Sequence, residues 1–225
     1  KCSYNYSTTM NRLTNIFLPL ILLVISLGLF SLAQGIGNQK VPGKGAELVD
    51  QQADSARIMA LLQERDREIK ELLGPKGTEY TQEKRDRLKD IINGVIDYEA
   101  MASYALQNTY DTLAVAEQQE FVDVFSQIVR DQSLRNLDIY RAEIAYQKID
   151  VVQDSAWVET LSQLENVNTP VYYVMKEQQD NWKVIDFYVD DVSTAKSYRR
   201  SFQNVIRKRD FDYLLETLRK RAGRK

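Results

Sequence analysis

The sequence predicts an α+β fold with a helical amino-terminal half, a four-stranded antiparallel sheet and two closing helices. Three observations predict it. Through residues 46–140 apolar side chains recur at three- and four-residue steps, the period of a one-faced helix. After Tyr140 the period drops to two in four successive segments. The stretches between those segments are only three to six residues long, which suits hairpins and therefore an antiparallel meander. From residue 194 the helical step returns.

The 225-residue chain opens on a segment that does not read as part of this fold. Residues 16–30 carry no charge, Arg12 precedes them, and Ser31-Leu32-Ala33 supplies the small residues a signal peptidase site requires. Residues 1–33 are therefore expected to be a signal peptide, with Met10 a possible true start. A retained membrane anchor is the competing reading, although the run falls short of the roughly 20 apolar residues that a spanning helix needs. Gln34, rather than cysteine, follows Ala33, so a lipid-anchored form of export is not supported. Residues 34–45 are rich in glycine with Pro42 and two lysines, and read as a flexible linker.

The expected folded domain covers residues 46–221. Its first helix, 46–73, carries Ile58, Leu61, Leu62, Ile69, Leu72 and Leu73 on one stripe and stops at Gly74-Pro75. Thr81 caps a second helix with Leu88, Ile91, Ile92, Val95 and Ile96 on its stripe, and Asp97 caps a short third with Met101, Ala102 and Ala105. A longer helix over 116–137 buries Phe121, Val124, Phe125, Ile128 and Val129. The sheet spans 143–189 in strands 143–152, 156–164, 171–176 and 182–189. Asp190-Asp191 ends the last strand, Ser193-Thr194 offers hydroxyls to cap the next helix, and helices over 194–208 and 211–221 close the domain.

Composition removes many chemistries. There is no histidine, and the single cysteine, Cys2, precedes the expected cleavage site, so the exported chain lacks the commonest general base, a thiol nucleophile and the usual transition-metal ligands. Gly43-Lys44-Gly45 and Gly74-Pro75-Lys76-Gly77 lack phosphate-loop spacing. Asp190-Asp191 has no calcium-loop pattern around it and reads as a strand-end turn. Asp186 stands inside an apolar strand, where an uncompensated carboxylate is costly. It either faces solvent or has a designated partner such as a tyrosine or an arginine. Residues 196–225 hold eleven Lys or Arg against three Asp or Glu. That cluster is either a docking surface for something negative or a solvated helical face. Nucleic acid is not an expected partner, because no recognition module is legible.

The sheet and the helix after it are crowded with aromatics: Trp157, Tyr172, Tyr173, Trp182, Phe187, Tyr188, Tyr198 and Phe202. Ordinary core packing and an apolar cavity lined by the sheet both fit that pattern.

Several runs, in order, carry a family resemblance. Trp182-Lys183-Val184-Ile185-Asp186, Val192-Ser193, Tyr198-Arg199 with Phe202, and Asp212-Tyr213-Leu214-Leu215 with Leu218 resemble the carboxyl-terminal signature of the MlaC (toluene-tolerance) family of periplasmic phospholipid carriers. Pro170-Val171-Tyr172-Tyr173, Phe121 and Phe125 after Gln118 or Gln119, and Ile96-Asp97-Tyr98 with Met101 and Ala105-Leu106 extend the likeness over about residues 61–221. Asp191, Gln107 and Tyr110 depart from the family pattern and mark a distant branch.

The resemblance implies an NTF2-like antiparallel sheet and packed helices enclosing a cavity for acyl chains. It also implies a non-catalytic periplasmic shuttle with bound phospholipid as cargo and no cofactor. Its expected partners are an inner-membrane MCE-domain ABC transporter and an outer-membrane lipoprotein complex, in a role maintaining outer-membrane lipid asymmetry. On the same basis Val158, Val171, Tyr173, Met175 and Val192 are expected at the cavity, with Phe121, Phe125, Tyr198 and Phe202 as its helical wall. Plain core packing remains open for each. Arg199, Arg200, Arg219, Lys220 and Arg221 are the expected docking cations, and no catalytic or metal-binding residue is expected. Two alternatives stand beside this reading: a membrane-anchored adaptor, and an enzyme on an NTF2-like scaffold with its pocket converging on Asp186.

Overall fold

A computed structural model describes residues 44–135, 137–179 and 181–223. The expected signal peptide, residues 34–43 of the expected linker, and the basic residues Arg224 and Lys225 lie outside them. The helical half comprises α1 (Lys44–Leu73), α2 (Gln82–Asn93), α3 (Tyr98–Leu106), α4 (Asn108–Thr112) and α5 (Val115–Ser133), followed by a 3-10 turn, Leu137–Arg141. The sheet contains β1 (Glu143–Val152), β2 (Ser155–Leu164), β3 (Val167–Gln178), β4 (Asn181–Val189) and β5 (Val192–Ser193), paired in that order and antiparallel throughout. Helices α6 (Thr194–Lys208) and α7 (Phe211–Gly223) complete the fold.

Local chemistry sets most of the boundaries. Gly74 adopts φ +63° directly after α1, a left-handed conformation that an L side chain adopts only with strain. The Thr81 hydroxyl accepts from Lys84 N at 3.3 Å, the Asp97 carboxylate from Ala100 N at 2.9 Å and the Ser193 hydroxyl from Lys196 N at 2.9 Å. Each takes one of the amide donors that an isolated helix start leaves unpaired.

The expected four-stranded sheet is corrected to five strands. Asp190 and Asp191 both have positive φ, 52° and 61°, and turn the chain so that Val192 and Ser193 pair back onto Val189 and Tyr188. Short aspartates tolerate this region better than most residues, and a two-residue strand leaves no alternation to read. The five-residue α4 is likewise not expected, and α5 ends at Ser133, short of the expected 137, where the 3-10 turn begins.

Two irregularities bend the sheet. Gln147 is skipped between the pairs Tyr146–Thr160 and Lys148–Glu159, and Ile185 between Asp186–Val174 and Val184–Met175. Such bulges raise local twist and curve the strand that carries them. The 95–97 segment runs along part of β4, with Asp97 N donating to Val184 O at 2.9 Å and Val184 N to Val95 O at 2.8 Å.

The buried apolar residues fall into separate clusters. One joins α3, α5, α6 and α7 around Met101, Phe121, Phe125, Phe202 and Leu214. Another presses Ile58 and Leu62 of α1 onto Ala156, Val158, Met175 and Val184 of the sheet. A third links α1 and α2 through Leu73, Leu88 and Ile92.

Candidate functional site

Strand alternation sends the even residues of β2 and the odd residues of β3 to one face, because Val158 pairs with Tyr173, Thr160 with Val171 and Ser162 with Thr169. That inner face is filled over only part of its length. Near Ala156, Val158 and Met175 the side chains of α1 close on the sheet and leave no exposed apolar surface. Further along, towards Leu164 and Val167, the facing groups stand off and leave a cavity of about 710 Å³.

The sheet wall of the cavity includes Ile144, Tyr146, Leu164, Val171, Tyr173 and Phe187. Opposite it are Leu62 and Ile69 of α1, Ile91 and Ile92 of α2, and Val95 and Ile96 beyond it, while Ile139 to Ala142 form an end. Ile139, Val167 and Val189 line the cavity and are also exposed, so they mark an apolar lip where it meets solvent.

Charged lining residues balance one another: Arg65, Lys76 and Arg141 against Asp66, Asp138 and Glu165. They are largely engaged. Lys76 Nζ lies 3.6 Å from Glu165 and 4.0 Å from Asp138, Asp66 pairs with Lys70 at 2.9 Å, and Arg141 holds Asp138 at 2.6 Å. Arg141 also donates to the carbonyls of Gly74 and Leu73, tying the 3-10 turn to the end of α1.

The tyrosines of the wall are kept neutral. Burial pushes the Tyr140 and Tyr173 phenols up to about 12, and burial first, then the neighbouring Tyr173 and Asp66, raises Tyr146 further. The Thr160 hydroxyl, on the same face, donates to Val171 O at 2.7 Å and is thereby satisfied.

Of the residues expected at the cavity, Val171 and Tyr173 line it. Val158 and Met175 share its face but sit fully buried in the packed cluster beside it, under Ile58 and Leu62. Val192 is about half exposed on β5 and does not line it. Phe121, Phe125, Tyr198 and Phe202 do not line it either. Their rings pack on one another at centroid distances of 5.0 to 5.8 Å, the spacing of filled aromatic core. Three more aromatics that crowd the sheet, Trp157, Tyr172 and Tyr188, occupy its opposite face, with Trp157 5.4 Å from Tyr172 and 5.2 Å from Tyr188.

Asp186 has a different partner from those expected. It is buried at the junction of β4 and α6, accepting from Ser193 Oγ at 2.6 Å, Ala195 N at 2.8 Å and its neighbour Phe187 N at 2.8 Å. It does not line the cavity. The carboxylate is the pin between the last long strand and the amino end of a helix, where negative charge is favoured.

The basic residues divide. Arg199 donates to the Tyr104 hydroxyl at 3.3 Å, Arg219 pairs with Glu120 at 2.6 Å, Lys220 with Glu216 at 2.6 Å, and Arg221 reaches Gln132 at 3.5 Å. Arg200 is exposed. Among the described residues no group of three or more His, Cys, Asp or Glu stands close enough to hold a metal ion, and no helix is long and apolar enough to cross a membrane.

Much of the lining was missed from sequence, including Ile91, Ile139, Ile144, Leu164 and Thr169. A signal for part of it was present: stepping by two from Tyr173 and Val171 reaches Thr169 and Val167, and cross-strand pairing then gives Ser162 and Leu164.

A curved antiparallel sheet facing helices across an open apolar space defines an α+β protein with an internal cavity. Residues 64–220 match the model of the MlaC protein family, and the chain belongs to that family. A solved structure of similar fold is the phospholipid-binding protein from Ralstonia solanacearum in complex with a phospholipid, with a TM-score of 0.61 at 19% identity, covering 75% of this chain and 96% of that one. No curated protein sequence matches this chain.

Proposed function

We propose that this protein is a non-catalytic carrier that holds phospholipid acyl chains in the cavity on the inner face of its sheet and leaves the headgroup in water. The observation that carries this reading is the apolar space of about 710 Å³ with its apolar lip. Membership of the MlaC family and the phospholipid present in the Ralstonia solanacearum structure support it.

The physics of transfer explains why such a space is useful. Each methylene exposed to water costs about 0.8 kcal/mol, so a bare lipid with about thirty of them does not cross an aqueous gap unaided. A cavity of about 710 Å³ is of the size that takes up hydrocarbon chains, and the carbons nearest the lip would lie against Ile139, Val167 and Val189. Moving a chain from bilayer to cavity exchanges one apolar environment for another, so loading and unloading are both close to balanced and need no nucleotide on the carrier.

In the same reading the chain is exported to the periplasm by cleavage after Ala33. The sheet and helices are NTF2-like, and the protein shuttles lipid between an outer-membrane lipoprotein complex and an inner-membrane MCE-domain ABC transporter, maintaining outer-membrane lipid asymmetry. Arg199, Arg200, Arg219, Lys220 and Arg221 would face those partners.

Organic extraction of protein purified from cells, followed by mass spectrometry, tests the carrier reading. Co-purifying phospholipid is the expected result. A folded protein that is empty and also refuses added phospholipid overturns it.

A further inference from the structure

The cavity wall contains polar groups that hydrocarbon chains leave unused. Tyr146 of β1 and Tyr173 of β3 both line the cavity, and they flank β2 on one face, Tyr146 paired to Thr160 and Tyr173 to Val158. Their rings rest against the packed cluster that closes this part of the inner face. Thr160 beside them is satisfied by Val171 O, and Tyr140 across the cavity has Ser133. Neither the Tyr146 nor the Tyr173 hydroxyl hydrogen-bonds another described residue, and both residues line the cavity. On the facing helix α1, Arg65 Nε is buried and also unpartnered, while its guanidinium is held by Glu68 through another nitrogen.

These three groups are donors. Burial keeps both phenols protonated far above neutral pH, so each offers a hydrogen that nothing in the protein accepts. A hydrocarbon tail that excludes water from these hydroxyls leaves the donors unmet, which is costly, and a ligand that supplies an acceptor avoids that cost. Asp66 restricts which acceptor fits. It lines the same cavity and its negative charge acts on both phenols. A phosphate or carboxylate drawn to the phenols would meet that negative charge, whereas an uncharged acceptor would not. In an acyl-ester lipid the strong uncharged acceptors at the root of the tails are the ester carbonyls.

We propose that Tyr146 and Tyr173 bind the ester carbonyl oxygens of the cargo, setting how far its tails enter and selecting ester-linked over ether-linked lipid. The inference rests on the carrier reading above and deepens it. An ether oxygen is a weak acceptor, so a site with two waiting donors discriminates against it much as polar pockets reject ligands that lack the matching group.

The test compares diacyl-ester and dialkyl-ether phosphatidylcholine of equal chain length, measuring affinity by competition against a fluorescent phospholipid. The proteins are the full chain, Tyr146→Phe, Tyr173→Phe and the double variant. Each substitution removes one oxygen and keeps the ring that packs, and urea unfolding confirms that the variants are folded. The expected result is an ester preference in the unaltered protein of about tenfold, reduced about threefold by each single substitution and abolished by both. Equal binding of ester and ether lipid by the unaltered protein overturns the proposal without needing any variant, as does a preference that survives in the double variant. In both of those outcomes lipid still binds and the carrier reading stands. Failure of the unaltered protein to bind either lipid overturns both.

Discussion

Around Phe121 and Phe125 the rings of α5 and α6 meet at 5.0 to 5.8 Å, and Phe211 of α7 closes on Phe121 at 5.9 Å. Around Val171 and Tyr173, on a surface equally rich in large apolar residues, the facing side chains stop short of contact over about 710 Å³. Composition does not separate the two regions. The first is helix against helix, where side chains from both partners interdigitate down to close packing. The second is helix against a sheet bent by bulges at Gln147 and Ile185, faced by the shorter branched chains Ile91, Ile92, Val95 and Ile96. Curvature that one wall does not follow leaves space, and apolar walls keep that space suited to hydrocarbon.

This difference makes the two regions respond oppositely to substitution. The largest effect is expected at the filled core: Phe125→Ala empties space that its neighbours cannot refill and lowers unfolding free energy by about 4 kcal/mol in urea titration. Lipid bound per folded molecule stays the same. At the junction of the regions, Asp186→Ala leaves Ser193 Oγ and Ala195 N without their acceptor and costs about 3 kcal/mol by the same measurement. Because that pin joins β4 to α6 and not to the cavity, the loss again appears in stability and not in lipid affinity.

In the hollow, Val171→Trp adds a ring to space that lipid would otherwise fill. Phospholipid affinity is expected to fall at least about tenfold, with stability changed by less than about 1 kcal/mol, because a void accepts bulk that a packed core refuses. A large stability loss at Val171, or unchanged lipid binding, would erase the contrast. The smallest effect belongs to the surface. Arg219→Ala breaks an ion pair with Glu120 whose side chains are 49% and 43% exposed, and is expected to cost less than about 0.5 kcal/mol. A defect in lipid delivery at unchanged stability would then assign Arg219 to docking.

How much was readable follows from how local each feature is. The caps at Thr81, Asp97 and Ser193 were readable because a cap depends on one side chain and amides three residues ahead. Strands β1 to β4 were readable from alternation. The two-residue β5 and the five-residue α4 are too short to show a period. Asp186 stood out as an anomaly, but its partners, Ser193 and Ala195, come together only when the Asp190-Asp191 turn folds β5 back onto β4.

The site divides in the same way. Val171 and Tyr173 belong to a strand whose middle, 171–176, the sequence places, while the structure extends it to Val167–Gln178, and their side of it follows from alternation. Whether an apolar position meets a neighbour or a gap is a property of two surfaces at once, which periodicity in either one does not contain. Phe121, Phe125, Tyr198 and Phe202 carry the same helical pattern that a cavity wall would carry, yet they fill their own space.

By itself, then, the order of residues determined the α+β class, the succession of helices and hairpins, the absence of histidine and the family to which the chain belongs, since these depend on composition, local propensity and motif order. Only the tertiary structure decided which apolar face is hollow and which is full, and which carboxylate pins strand to helix. Those outcomes arise from the curvature of the sheet and the reach of side chains brought together from distant parts of the chain.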